Sequence, residues 1–282
     1  MMKTMAKPLS KRKGGARLGQ HFLLHPRIAE RIADAASLSK SDAVLEVGPG
    51  KGILTAALLE RLSPEASAKE GGAEVVAVEA DASLIEGLRE RFSDALKAGR
   101  LTLVHADIRD YLAGEAPELP ARYAVVANIP YYLTGELIRA LLTRTRQPSS
   151  MTLLVQKEVA LRIVARDTKP LDSARGKESL LSLSVKAYGT PSYEFTVPRG
   201  AFKPAPRVDS AVISVRDISR GHFKAPADEE RFFALIHAGF AHKRKYLRSN
   251  LAAAGLTQGS VPEKARAEDL SLDDWFVLAE GG

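Results

Sequence analysis

The chain has 282 residues, 45% of them hydrophobic and 27% charged, enough for one large folded unit or one with a small companion. Its formal net charge of +7 favours a polyanionic partner. It has no cysteine, which excludes disulfides, thiolate metal sites and cysteine nucleophiles and suits a reducing cytoplasm, and no apolar run approaches the ~20 residues that span a membrane.

Residues 1–17 carry Lys3, Lys7, Lys11, Arg12, Lys13 and Arg17 and no acid. With Gly14 and Gly15 they form a basic arm, which fits either a solvated tail or a contact with nucleic-acid phosphates. Pro26 to Ala36 has helical spacing, with Ile28, Ile32 and Ala35 on one face. Ala43 to Val47 reads as a short buried strand, Ile53 to Leu62 as an apolar helix and residues 63–73 as a surface loop. Glu74 to Val78 is a second strand, and Ala82 to Lys97 a second amphipathic helix. Leu101–Val104, Tyr123–Ala127 and Met151–Val155 are further strands. Helices Gly135–Leu142 and Glu158–Ala165 follow the last two, and residues 167–178 form a polar loop. This alternation predicts an α/β fold, an open and mostly parallel sheet with helices on both faces. Such sheets bind ligands at the carboxyl ends of their strands.

After about residue 185 the pattern changes. Strands at Ser192–Val197 and Ser210–Val215 flank a proline-rich stretch, Pro198 to Pro206. Helices are expected at 229–240, 245–254, 262–265 and 272–279. The division is therefore a basic arm with a ligand-contact segment (1–25), a sheet domain (26–220) and a small helical domain (221–282).

The chemistry gathers at strand ends. The first strand runs into Gly48-Pro49-Gly50-Lys51-Gly52, a turn that lets a ligand approach the backbone. Ile53 stands where a dinucleotide fingerprint wants glycine, and there is no lysine–serine pair of the phosphate-loop type. Glu79 closes the second strand and can accept from two ribose hydroxyls, or be a solvated acid. Asp107 closes the third and can accept from an adenine amine, or cap a helix. A glycine turn and two acids on consecutive strand ends fit S-adenosylmethionine, which carries no phosphate. No metal site is expected.

The fourth strand ends in Asn128-Ile129-Pro130-Tyr131-Tyr132. An exocyclic adenine amine is a poor nucleophile because its lone pair is delocalised. An asparagine oxygen and a neighbouring backbone carbonyl, accepting the amine protons, stabilise the charge that develops on methyl transfer. Proline fixes the turn, and Tyr131 can stack on an extruded base.

The sequence resembles the ribosomal RNA adenine dimethyltransferases, in particular the bacterial small-subunit enzymes, over nearly its whole length. The resemblance lies in Leu18-Gly19-Gln20-His21-Phe22-Leu23, Val44 to Gly50, Asn128 to Tyr131, Leu154 to Val159 and Ala201 to Ser210. It implies a Rossmann-like class I methyltransferase. The expected reaction dimethylates the 6-amino group of two adjacent adenines in a loop near the 3′ end of 16S rRNA, linked to small-subunit maturation. It implies a cytoplasmic monomer acting on immature small subunits. The cofactor contacts it implies are His21, Leu23, Gly48, Gly50, Glu79, Asp107 and Asn128. Catalysis falls to Asn128, Ile129, Pro130 and Tyr131, with Phe202 sandwiching the target base against Tyr131 or serving simply as a core aromatic. RNA contacts fall to Lys11, Arg12, Lys13 and Arg17 and to a basic helix face of Lys243, Arg244, Lys245 and Arg248.

Three departures stand out. His21 replaces the usual asparagine, Ile129 replaces the commoner leucine, and residues 168–177 are long and lack a tyrosine–glycine pair before Leu180. The competing readings are a large-subunit (23S) enzyme of the macrolide-resistance type, a non-catalytic nucleic-acid-binding relative, and a nicotinamide oxidoreductase, which Ile53 disfavours.

Overall fold

The computed structural model describes residues 20–39, 42–62, 75–114, 116, 119–164, 177–256 and 261–281. The basic arm with Lys11, Arg12, Lys13 and Arg17, the loop at 63–73 and most of 167–178 lie outside them.

The backbone follows the predicted alternation. In chain order the elements are β1 (Phe22–Leu23), α1 (Pro26–Ala35), β2 (Val44–Val47), α2 (Ile53–Arg61), β3 (Val75–Glu79), α3 (Ala82–Arg91), α4 (Ser93–Lys97), β4 (Leu101–His105) and α5 (Ile108–Ala113). Then come β5 (Ala124–Asn128), a 3-10 turn (Tyr131–Leu133), α6 (Thr134–Thr143), β6 (Ser150–Gln156), α7 (Lys157–Ile163) and α8 (Leu180–Lys186). The remainder is β7 (Thr190–Val197), β8 (Phe202–Lys203), β9 (Ser210–Arg216), α9 (Pro226–Gly239), α10 (Leu247–Ala253) and α11 (Leu272–Glu280).

Seven strands form one sheet in the order β4-β3-β2-β5-β6-β9-β7. The first five are parallel, and β9 runs antiparallel to both of its neighbours. Val44–Val47 and Val75–Glu79 are buried along their whole length, as strands covered on both faces must be. Separate apolar clusters occupy the two faces. The chain reverses direction across the sheet between β2 and β5, which opens a crevice at their carboxyl ends.

The structure differs from the sequence reading in several places. The helix expected over 82–97 breaks at Phe92, whose φ of −113° leaves the helical range. The Phe92 ring fills the space beneath the glycine turn, where a β-carbon on Gly52 would lie 2.4 Å from Cε2. A two-stranded ribbon, β1 with β8, joins segments 180 residues apart. The last expected strand is longer, and 262–265 is a turn followed by a 3-10 segment at Ala267–Asp269. The C-terminal helices share their core with α8: Leu183 and Ala187 pack among Phe232, Ile236, Leu251 and Trp275. Across this junction Arg220 Nε pairs with Glu229 at 2.9 Å, while its Nη2 donates to Thr143 O and Arg144 O at 3.0 Å each.

Candidate active site

A cavity of about 310 Å³ lies at the carboxyl ends of β2, β3, β4 and β5. Its floor is the turn after β2. Gly48, Gly50 and Gly52 all take positive φ (69°, 59° and 76°), a region that L side chains rarely adopt. A β-carbon on Gly50 would also meet the Phe22 ring at 3.0 Å, so β1 folds directly onto the turn.

Glu79, 3% exposed, ties the turn down. Its Oε2 accepts from Gly50 N at 3.0 Å and its Oε1 from Asp81 N at 2.9 Å. Each oxygen retains a second lone pair, and the residue is part of the cavity wall. Asp107 both caps α5, accepting from Arg109 N at 2.9 Å, and pairs with the Arg109 guanidinium at 2.6 Å. That pairing holds its carboxyl below the usual carboxylate range. A ligand amine at Asp107 therefore shares the carboxylate with Arg109 or displaces it.

Asn128 ends β5, and its hydrogen bonding fixes its polarity. Nδ2 donates to His21 O at 3.2 Å. A carbonyl only accepts, so the amide nitrogen must face His21, and Oδ1 has no hydrogen bond among the described residues. Ile129, buried, and Pro130, half-buried, line the cavity after Asn128. Tyr131 is held by a 2.6 Å hydrogen bond between its hydroxyl and Ser210 Oγ. Burial raises its pKa, so the phenol stays neutral.

His21 and Leu23 line the same cavity. The His21 ring lies against Tyr131, centroids 5.5 Å apart, and its Nδ1 donates to Pro204 O at 2.7 Å. Phe202 is the exception among the expected site residues. Pairing of β8 with β1 turns it inward, 3% exposed, into the core with Leu23, Val197 and Val212, and it is absent from the cavity wall. The ring opposed to Tyr131 is His21, not Phe202.

Two groups escaped the sequence reading. Ser210 is an ordinary strand serine until the fold brings it to Tyr131. Glu46, in β2 beneath the glycine turn, is 1% exposed and neither oxygen has a hydrogen-bond partner among the described residues. Burial, and secondarily the charge of Glu79, raises its pKa from 4.5 to about 8. Thr55 alongside offsets part of this without reaching hydrogen-bonding geometry. An acid in an otherwise apolar strand was the available signal.

The basic patch is arranged differently from the expected helix face. Lys243, Arg244 and Lys245 lie exposed in the turn before α10, not on it. Arg248 is on the helix, but its Nε donates to Val261 O at 2.8 Å and so braces the fold. Lys243 and Lys245 border a second cavity, about 910 Å³, whose wall also holds Arg139, Arg162, His237 and His242. Burial and the charge of Arg139 lower the His237 pKa. Among the described residues no cluster could hold a metal ion, and no helix is long and apolar enough to cross a membrane.

These residues fit a small cationic nucleoside. Two acids, Glu79 and Asp107, stand at strand ends on the cavity wall beside the glycine turn. Comparison with known proteins agrees. The ribosomal RNA small subunit methyltransferase A of Dehalococcoides mccartyi is 38% identical over 280 residues, covering 96% of this chain and 88% of the relative. That of Fusobacterium nucleatum is 33% identical, covering 92% and 94%. Among solved structures, the 23S rRNA methyltransferase ErmE matches with a TM-score of 0.68 and 26% identity, covering 92% of this chain and 98% of that one. A dimethyladenosine transferase from Plasmodium falciparum, 23% identical, shares the fold with a TM-score of 0.69, covering 92% and 96%. The signature described as "Ribosomal RNA adenine dimethylase" matches residues 11–280, and the chain belongs to that family.

Proposed function

We infer that this chain is an S-adenosylmethionine-dependent enzyme that dimethylates the 6-amino group of adenines in small-subunit (16S) ribosomal RNA. The observation that supports this best is Asn128. With Nδ2 committed to His21 O, its Oδ1 is the acceptor left for an amine proton. S-adenosylmethionine, when bound, supplies an electrophilic methyl group. Glu79 and the backbone of the glycine turn hold its ribose, Asp107 its adenine, and His21 and Leu23 the rest of its length. Asn128 Oδ1 and a neighbouring backbone carbonyl accept from the target amine, concentrating its lone pair. Ile129 and Pro130 shape the turn, and Tyr131 stacks on the extruded base. No strong base is needed, since the amine proton leaves after the charge has formed.

The finer reading is two adjacent adenines near the 3′ end of the RNA, methylated by a monomer on immature small subunits in the cytoplasm. The chain divides into three parts at residues 25 and 220: a basic arm with a ligand-contact segment, a sheet domain and a small helical domain. Lys11, Arg12, Lys13 and Arg17 with Lys243, Arg244 and Lys245 supply phosphate contacts. The large-subunit alternative is weaker, since likeness to ErmE is 26% against 38% for the small-subunit relative. Purified protein, labelled cofactor and immature small subunits should yield dimethyladenosine on nucleoside analysis. Label entering only large subunits would support the alternative, and no label at all would support a non-catalytic binder.

A further inference from the structure

Tyr131 is fixed at its edge and on one face. Its hydroxyl shares a 2.6 Å hydrogen bond with Ser210 Oγ. The His21 imidazole covers one side of the ring, centroids 5.5 Å apart and planes 33° apart. The imidazole is itself anchored twice. Its Nδ1 donates to Pro204 O at 2.7 Å, and its own backbone carbonyl accepts from Asn128 Nδ2 at 3.2 Å. At that ring separation the two side chains touch, and no base fits between them.

We propose that His21 is a positioning residue: its ring backs Tyr131, so that the target adenine has a single ring face on which to stack. This rests on the reading that Tyr131 stacks on the target base. A half-buried tyrosine without a backing ring can tilt and offer either face, whereas a backed ring offers one. Backing removes that freedom before the RNA arrives, which is how preorganisation improves binding and rate. The backing needs a ring and not a donor alone, so it is particular to a chain with histidine at this position. An asparagine side chain there can reach a carbonyl, but presents no ring to Tyr131. Phe202, turned into the core, presents none either.

The test uses the full chain with small subunits that lack the methylation. Single-turnover methyl transfer is measured at saturating S-adenosylmethionine and saturating subunits, and cofactor affinity separately by calorimetry without RNA. His21→Ala should slow transfer by about three- to tenfold, the span of one aromatic pair. His21→Phe, which keeps a ring and loses the donor, should recover most of that rate, and His21→Asn should not. Cofactor affinity is expected to fall as well, because His21 also lines the cofactor cavity, and saturating S-adenosylmethionine keeps that loss out of the measured rate. The proposal is overturned if His21→Phe is as slow as His21→Ala, or if His21→Asn restores the rate. Should His21→Ala fail to fold, the comparison of His21→Phe with His21→Asn still decides. Tyr131→Ala separates the two levels. If it reacts at the wild-type rate, stacking on Tyr131 falls and this proposal with it. If it is slow while the His21 variants are fast, only this proposal falls.

Discussion

Phe92 sits beneath Gly52 so closely that a β-carbon on the glycine would meet its ring at 2.4 Å. The break between α3 and α4 and the glycine turn at the cavity floor are therefore one packing arrangement. Gly52→Ala suffers twice, from the 76° φ and from the ring. It should destabilise the protein by about 1–3 kcal/mol in urea unfolding. Adding Phe92→Leu should recover only the steric part, because the backbone strain remains. Full recovery in the double variant would show that strain contributes nothing.

Glu46 predicts a pH dependence. Its pKa rises from 4.5 in the unfolded chain to about 8 in the native protein. Between those values the native state holds a proton that the unfolded state has lost, so stability falls as pH rises through that window and levels off above it. Each unit is worth about 1.4 kcal/mol, so the loss amounts to a few kcal/mol. Glu46→Gln should flatten this slope and be the more stable protein at pH 8. Parallel stability curves for the two proteins from pH 5.5 to 8 would refute the assignment.

Asn128→Ala removes one preorganised acceptor and should lower the single-turnover rate at saturating cofactor by about 10²–10³. Tyr131→Phe keeps the ring but loses the bond to Ser210, so a milder loss is expected, about 0.5–1.5 kcal/mol in barrier or stability. A wild-type rate for Asn128→Ala under these conditions would mean that the segment is only a turn.

The basic residues around α10 should separate into two behaviours. Neutralising Lys243, Arg244 and Lys245 together should weaken RNA binding across sequences and flatten the salt dependence by up to about 0.7–0.9 for each phosphate no longer neutralised. Arg248→Ala should instead lower the melting temperature, because its Nε is bonded to Val261 O. An Arg248→Ala protein with unchanged stability and a reduced salt slope would reverse that division.

Local patterns carried much of this in the sequence. Strands such as Val75–Glu79 are short apolar runs between turn signals, and the glycine turn and the strand-end acids declare themselves by position. What escaped depends on distant partners. His21 meets Pro204 across 183 residues, and the β1–β8 ribbon that brings them together is two residues deep on each side. That ribbon also decides that Phe202 faces the core. The helix break at Phe92 needs the glycine turn to be visible, and the amphipathic spacing of 82–97 continues through it. Lys243 to Lys245 precede their helix because Leu247 and Leu251, fully buried, set where its apolar face begins.

Arg220 gives α6 a mechanical role. Ten residues long, about 15 Å, this helix starts immediately after the 3-10 turn that carries Tyr131. Its far end is gripped by Arg220, which holds the Thr143 and Arg144 carbonyls while paired to Glu229 on α9. The helix is thus a stiff strut with the Tyr131 turn at one end and the C-terminal helices at the other. α9 and the Tyr131 turn are joined along this helix by a path that does not cross the sheet.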